Sequence, residues 1–167
     1  MRIPKRKPGK FSEIKPDPLL SEEKFIELKK KLSVLKNKQP HTAAEVARLA
    51  EMGDFSENAA YQMAKGRLRG LNQKIFELEY QLDHAIIIPP QTSLNTVQIG
   101  HTVTIENKGK KYTYKILGSA ETSPQAGIIS HTSPIGRVLL GHKVGEKITV
   151  QINNKKFDYT ILEISTD

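Results

Sequence analysis

The feature that most constrains this chain is a strict heptad over residues 61–82. Tyr61, Ala64, Leu68, Leu71, Ile75, Leu78 and Leu82 recur at spacings of 3, 4, 3, 4, 3 and 4. That repeat gathers the apolar side chains into one stripe of a helix, and an isolated helix leaves such a stripe in water. The chain supplies a cover upstream. Phe25, Leu28, Leu32 and Leu35 follow one another at 3, 4 and 3, and the register continues through Gln39 and Thr42 to Val46 and Leu49. Ser21 is the expected N-cap, with Glu22 and Glu23 favourably placed in the first turn. Pro40 is expected to kink or interrupt the helix, because it removes a hydrogen bond and crowds the preceding turn. The two seams are separated by a short turn near Gly53–Ser56, so the helices must run antiparallel.

After Asp83 the periodicity changes. Ile86–Pro90 ends the helical register, and Gln91–Asn95 reads as linker. Thr102–Glu106 and Lys111–Leu117 alternate apolar and polar residues around Asn107-Lys108-Gly109-Lys110, a hairpin signal. Ile128–Ser130 reads as a short strand. Ser133-Pro134 opens a short helix closed by Gly141. Lys147–Ile152 and Lys155–Ile164 alternate around Asn153-Asn154. The expected fold class is α+β: an N-terminal antiparallel α-helical coiled-coil hairpin, then a small antiparallel β-sheet domain with one helix. The expected boundaries are a basic arm at 1–18, the hairpin at 19–88 with its tip near 53–58, a linker at 89–96 and the second domain at 97–167.

Composition agrees with thin elements rather than one large core: hydrophobic residues are 37% of the 167, below the usual share of about 45–50%. The net charge of +8 favours a polyanionic partner. Residues 1–18 carry six basic and two acidic side chains. Lys65, Arg67, Arg69 and Lys74 lie off the second seam, where they face solvent or a partner. The absence of cysteine excludes a disulfide scaffold, a thiolate metal site and a Cys nucleophile. His41, His84, His101, His131 and His142 show no metal-binding spacing, and no glycine-rich phosphate loop is present. No apolar run approaches the 18 or so residues of a membrane span. No apolar segment follows the basic N-terminus, so no secretory signal is expected.

The chemistry lies at the hairpin tip, Gly53-Asp54-Phe55-Ser56-Glu57-Asn58. Asp54 and Glu57 have two readings. Asp-x-x-Glu before an apolar register is a capping box. Two carboxylates on an exposed tip are also half of a Mg²⁺ site, since that ion takes six oxygens and keeps several waters. They become catalytic only when another molecule supplies the rest. Phe55, at the far end of a rod, either folds back over Ala59 or Met52 or enters a partner.

Gly53-Asp54-Phe55-Ser56-Glu57-Asn58-Ala59-Ala60-Tyr61 resembles the tip signature of the bacterial Gre transcript cleavage factors. Ile129-Ser130-His131-Thr132-Ser133-Pro134-Ile135-Gly136-Arg137-Val138-Leu139-Leu140-Gly141 is similar to the second signature of that family. The resemblance runs from about residue 19 to 164; the basic arm is extra to it. It implies a factor that binds bacterial RNA polymerase and inserts its hairpin through the secondary channel. Asp54 and Glu57 would there help hold a Mg²⁺ shared with the polymerase, together with the attacking water, and backtracked RNA would be cut to leave a new 3′ end. Phe55, Ser56 and Asn58 complete the tip. Lys65, Arg67, Arg69 and Lys74 would face the extruded RNA, in a stretch that looks closer to the GreB type than to the GreA type. Thr132, Ser133 and Pro134 match the loop that anchors the family on the polymerase rim, with Thr132 departing from its usual Asp or Asn.

The second domain resembles an FKBP-like fold. Its only aromatics are Tyr112, Tyr114, Phe157 and Tyr159, too few to line a prolyl isomerase pocket, so that activity is not expected. The resemblance implies a cytoplasmic monomer with no membrane contact, no small-molecule substrate and no enzymatic activity of its own. Two alternatives stand beside it. One is a Gre-fold regulator that occupies the channel without stimulating cleavage. The other is a basic coiled-coil nucleic-acid-binding protein with no polymerase partner.

Overall fold

The computed structural model describes residues 17–52 and 58–166, which form two compact units divided after Leu19 and after Gln91, the second unit taking in 17–19 with 92–166. Asp54, Phe55, Ser56 and Glu57, and most of the basic arm, lie outside the described residues.

The first unit is the helical hairpin. Helix α1 runs Glu22–Glu51 and α2 runs Ala59–Asp83. Ser21 caps α1, its Oγ accepting from the Lys24 amide at 3.2 Å. At 1.5 Å per residue the 30 residues of α1 extend about 45 Å. Pro40 does not interrupt it: the helix is continuous from one end to the other. The loss of one backbone bond is outweighed by packing against α2 on both sides of it. Nearby Thr42 is buried, and its hydroxyl donates to the Lys38 carbonyl at 3.1 Å.

The two helices are antiparallel, as three cross-helix pairs show: Lys36–Glu79 at 2.6 Å, Gln39–Asn72 at 2.8 Å and Glu45–Arg67 at 3.6 Å. As the α1 number rises the α2 number falls. Ala64, Leu71, Ile75 and Leu78 of the second seam are buried, with Leu28 of the first. Burial of each large aliphatic side chain stabilises by roughly 1.5–3 kcal/mol. The base of the hairpin is closed by the two-residue strands β1 (Leu19–Leu20) and β2 (Ile86–Ile87). The Ile88 amide donates to the Leu20 carbonyl at 2.9 Å, and fully buried Leu20 packs with Leu28 and Leu78.

The second unit is a five-stranded sheet in the order β5-β4-β3-β7-β6. The strands are β3 (Thr102–Asn107), β4 (Lys110–Leu117), β5 (Ile128–Ser130), β6 (Lys147–Ile152) and β7 (Lys155–Ser165). Alternation buries Val103 and Ile105 of β3, and a register shift in β7 opposite Thr104 and Ile105 brings Ile161 and Ile164, three residues apart, into the same core with Ile116, Ile148 and Leu139. Both hairpin turns take left-handed backbone: Asn153 and Asn154 at φ 48° and 63°, residue types that tolerate it, and Gly109 at φ 80° beside Lys108 at φ 49°, a lysine held there by the two-residue turn. The sheet is not wholly antiparallel as expected. β5 pairs parallel to β4, because residues 118–127 form a connection long enough to carry the chain back, two turns of 3-10 helix included. Helix α3 (Pro134–Leu139) follows β5 directly.

Candidate functional site

The start of α2 is capped by a residue the structure describes. The helix begins at Ala59, and its N-cap is Asn58, not Asp54. The Asn58 Oδ1 accepts from the Tyr61 amide at 3.0 Å, the N3 position of the helix. Its Nδ2 donates to the Leu49 carbonyl in the last turn of α1 at 3.3 Å. One side chain therefore caps α2 and ties the two helices together, at the position that follows Glu57 in sequence. Asn58 thus satisfies the Tyr61 amide at N3 of α2, while Asp54 and Glu57 lie outside the described residues. Sequence pattern missed this role because Asn58-x-x-Tyr61 and Asp54-x-x-Glu57 are both cap-competent, and only the second carries the reciprocal carboxylate. Lys65 lies over the Tyr61 ring, its Nζ 5.7 Å from the centroid.

The four cations of α2 do not form one patch. Successive residues turn about 100° around a helix, so Lys65 and Arg69 lie about 40° apart, and Arg67 and Lys74 about 20° apart, the two pairs on opposite flanks of the seam. Lys65 and Arg69 border a depression with Leu68, Asn72 and Gln73, all on α2. Arg67 and Lys74 border a groove whose other wall is α1, through Lys38, His41 and Glu45. Lys38 was not among the expected contacts. Gly66 and Gly70, one turn apart, are ordinary helical residues, and a Cβ at either would meet nothing within 4 Å. Each costs about 1 kcal/mol relative to Ala, with no return from packing inside the chain.

The loop at 130–134 is held by hydroxyls. Ser119 and Ser130 Oγ are 2.8 Å apart, Ser130 Oγ and Thr132 Oγ1 2.8 Å, and Ser119 Oγ and Thr132 Oγ1 3.3 Å. Ser133 caps α3, its Oγ accepting from the Gly136 amide at 3.0 Å, and Pro134 opens that helix. A Cβ on Gly136 would stand 2.2 Å from the Ser130 carbonyl oxygen, so only glycine lets α3 approach the strand end. Thr132 and Pro134 are exposed, whereas Ser133 is half-buried and engaged in its cap. Asp17 closes the cluster: its carboxylate accepts from the Ser119 amide at 2.7 Å and the Leu19 amide at 3.1 Å, and lies 3.4 Å from His131 Nδ1. Burial pushes the Asp17 carboxyl up, but the bonds from Ser119 and Leu19 and the nearby imidazole outweigh it and hold the group below its ordinary value. No local pattern announces Asp17, whose partner is 102 residues away.

Among the described residues no three His, Asp or Glu side chains group into a metal site. No helix among them is long and apolar enough to cross a membrane.

Comparison with known proteins places the chain in a class, the transcription elongation factors. Residues 18–87 match the family described as transcription elongation factor, N-terminal, and residues 91–166 match transcription elongation factor, GreA/GreB, C-term. The chain is 38% identical over 150 residues to the transcription elongation factor GreA of Macrococcus caseolyticus, covering 87% of this chain and 95% of that protein. It is 41% identical over 125 residues to the GreA of Chloroflexus aggregans, covering 73% and 80%. The crystal structure of the GreA factor homolog 1 protein of Thermus thermophilus is 23% identical, with a TM-score of 0.40, covering 87% of this chain and 97% of that one; at that score it adds no weight. The chain belongs to the GreA/GreB family of transcription elongation factors.

Proposed function

We propose that this protein is a transcript cleavage factor: it binds RNA polymerase and stimulates the polymerase's own cleavage of backtracked RNA, without being an enzyme itself. The observation that carries the reading is Asn58. It satisfies the start of α2 and fastens it to α1, so the helix has a cap that does not call on Asp54 or Glu57. Two carboxylates supply too few oxygens for Mg²⁺ alone, so the site is completed only inside the polymerase. There Asp54 and Glu57 would hold the ion jointly with polymerase ligands. The ion supplies the chemistry common to two-metal sites, activation of water and neutralisation of the leaving oxygen. The protein's own part is to carry the two charges to that place on a rigid rod.

Entry through the secondary channel, contact with the RNA 3′ end and action as a monomer belong to the same proposal. So does docking through Thr132, Ser133 and Pro134, for which exposed Thr132 and Pro134 are the better contacts and Ser133 shapes the loop. The FKBP-like fold of the sheet unit belongs to the proposal too, supported by a five-stranded sheet with one short α-helix. Lys65, Arg67, Arg69 and Lys74 would add phosphate contacts and salt-dependent binding. The leaning toward the GreB type lacks support: the curated relatives reported above carry the GreA name, and the cations are divided between two flanks. The test is addition of the protein, with Mg²⁺, to a stalled and backtracked elongation complex, followed by RNA length on a gel. Shortened RNA is expected. Tight binding to polymerase without shortening would make the protein a channel-occupying regulator instead.

A further inference from the structure

We propose that the groove between the helices, walled by Lys38 of α1 and by Arg67, Gly70 and Lys74 of α2, is a nucleotide-binding slot that takes one unit of single-stranded RNA. The inference rests on the RNA-contact reading above and narrows it to one flank, with a base as well as its phosphates recognised.

The groove measures about 540 Å³ and is floored by Leu35, Thr42 and Leu71, a size within the range of ordinary small-ligand sites. Its rim and floor have different chemistry. Lys38, Arg67 and Lys74 put three cations around it against the single carboxylate of Glu45. Glu45 is committed to Arg67 at 3.6 Å, and the Lys38 and Lys74 ammoniums have no ion-pair partner among the described residues. His41 is the remaining titratable group on the wall. The floor offers two leucines and the methyl of a buried threonine whose hydroxyl is already spent on the Lys38 carbonyl. A ligand that satisfies both parts carries negative charge at its edge and a flat apolar body. A nucleotide does so, and stacking of a base on an apolar floor is tolerant of its identity.

Gly70 fits this reading and no internal one. It stands three residues after Arg67 and four before Lys74, hence on their stripe of the helix. Neither its backbone nor its packing requires glycine. What its missing side chain does provide is an open lip between two cations, where a base and sugar can lie against the helix. The opposite flank, with Lys65 and Arg69, has its depression on α2 alone and so has no second wall.

The test uses the full chain. An isotope-labelled sample is titrated at low salt with a four-residue single-stranded oligoribonucleotide, with ATP and with inorganic tripolyphosphate. The RNA should move the amide resonances of Thr42, Gly70 and Leu71 most. ATP should move the same amides, and tripolyphosphate should bind at least fivefold more weakly than ATP. Gly70→Leu should weaken RNA binding tenfold or more while raising the melting temperature, so that misfolding is excluded by the same sample. Lys38→Ala with Lys74→Ala should lose about tenfold, Lys65→Ala with Arg69→Ala clearly less, and Lys29→Ala with Lys30→Ala, of equal charge change, less than twofold. ATP binding without RNA binding would assign the slot to a free nucleotide and overturn the RNA proposal. Unchanged binding by Gly70→Leu, equal losses on both flanks, or tripolyphosphate matching ATP would overturn the slot and leave the broader RNA contact standing. No shift at either flank would overturn both, without touching cleavage by the tip.

Discussion

At the scale of single residues, the tip separates packing from chemistry. Asn58→Ala removes a cap, at about 1 kcal/mol, and a cross-helix bond worth about another 1 kcal/mol. Asn58→Asp keeps the cap and should lose only the second, a difference readable in urea unfolding. Asp54→Asn and Glu57→Gln should leave stability within about 0.5 kcal/mol, since neither substitution touches the Asn58 cap. Both should still bind polymerase, yet lose cleavage on the order of 10²-fold or more, as for loss of one preorganised charge. Raised Mg²⁺ should restore part of the rate. Near-wild-type cleavage by either variant would falsify the metal role. His101 makes a different case. It is fully buried, its Nδ1 accepts from the Gln98 amide at 3.1 Å, and its Nε2 has no partner among the described residues. Burial lowers its pKa from the ordinary 6.5. The unfolded chain thus binds a proton that the folded chain refuses, so stability is complete above 6.5 and falls as the pH drops from there toward the lowered value. His101→Asn keeps an acceptor for Gln98 and does not titrate. It should be less stable at pH 7.5 but lose the acid slope below 6.5. The sequence displayed this histidine without displaying its burial, which depends on strands paired across the whole sheet.

At the scale of elements, periodicity was the legible part. Both helices, both β-hairpin turns and the short α3 follow from spacings that each fix one face of an element. Two features were less legible for different reasons. The division of Lys65 and Arg69 from Arg67 and Lys74 is present in the 100° geometry of any helix and needs no structure, only attention to angle instead of distance along the chain. The continuity of α1 through Pro40 is different in kind, because local propensity argued against it and tertiary packing prevailed. The strain should still be measurable. Pro40→Ala returns a donor to the Lys36 carbonyl and should stabilise the protein by about 1–3 kcal/mol, raising the melting temperature without altering cleavage. A fall in stability would mean that the proline is accommodated by a local geometry alanine disrupts.

At the scale of the whole molecule, each unit has its own core, and in the sheet unit every buried member lies between Val97 and Ile164. The parallel β4–β5 pair and the long-range bond from Asp17 were both beyond pattern reading, because each joins segments whose separation no repeat records. That bond makes the sheet unit discontinuous in sequence. A fragment of residues 92–167 should therefore fold, bind polymerase and compete with the full chain, but stimulate no cleavage, because the tip is missing. It should also be less stable than the same unit in the intact chain, since the Ser119 amide loses the carboxylate beside the Thr132 cluster. Asp17→Ala in the full chain isolates that contribution. The folded Asp17 pKa lies below 3.8, so its stabilisation is complete above that value and disappears as the pH falls through the lowered one. The stability difference between wild type and Asp17→Ala should be about 1–3 kcal/mol at pH 7, the usual cost of leaving a polar group without its charged partner, and should shrink below about pH 4. Amide exchange at Ser119 should quicken in the variant by more than the global loss of stability explains. If exchange there changes no more than elsewhere in the sheet unit, Asp17 stabilises the unit as a whole and does not hold this loop.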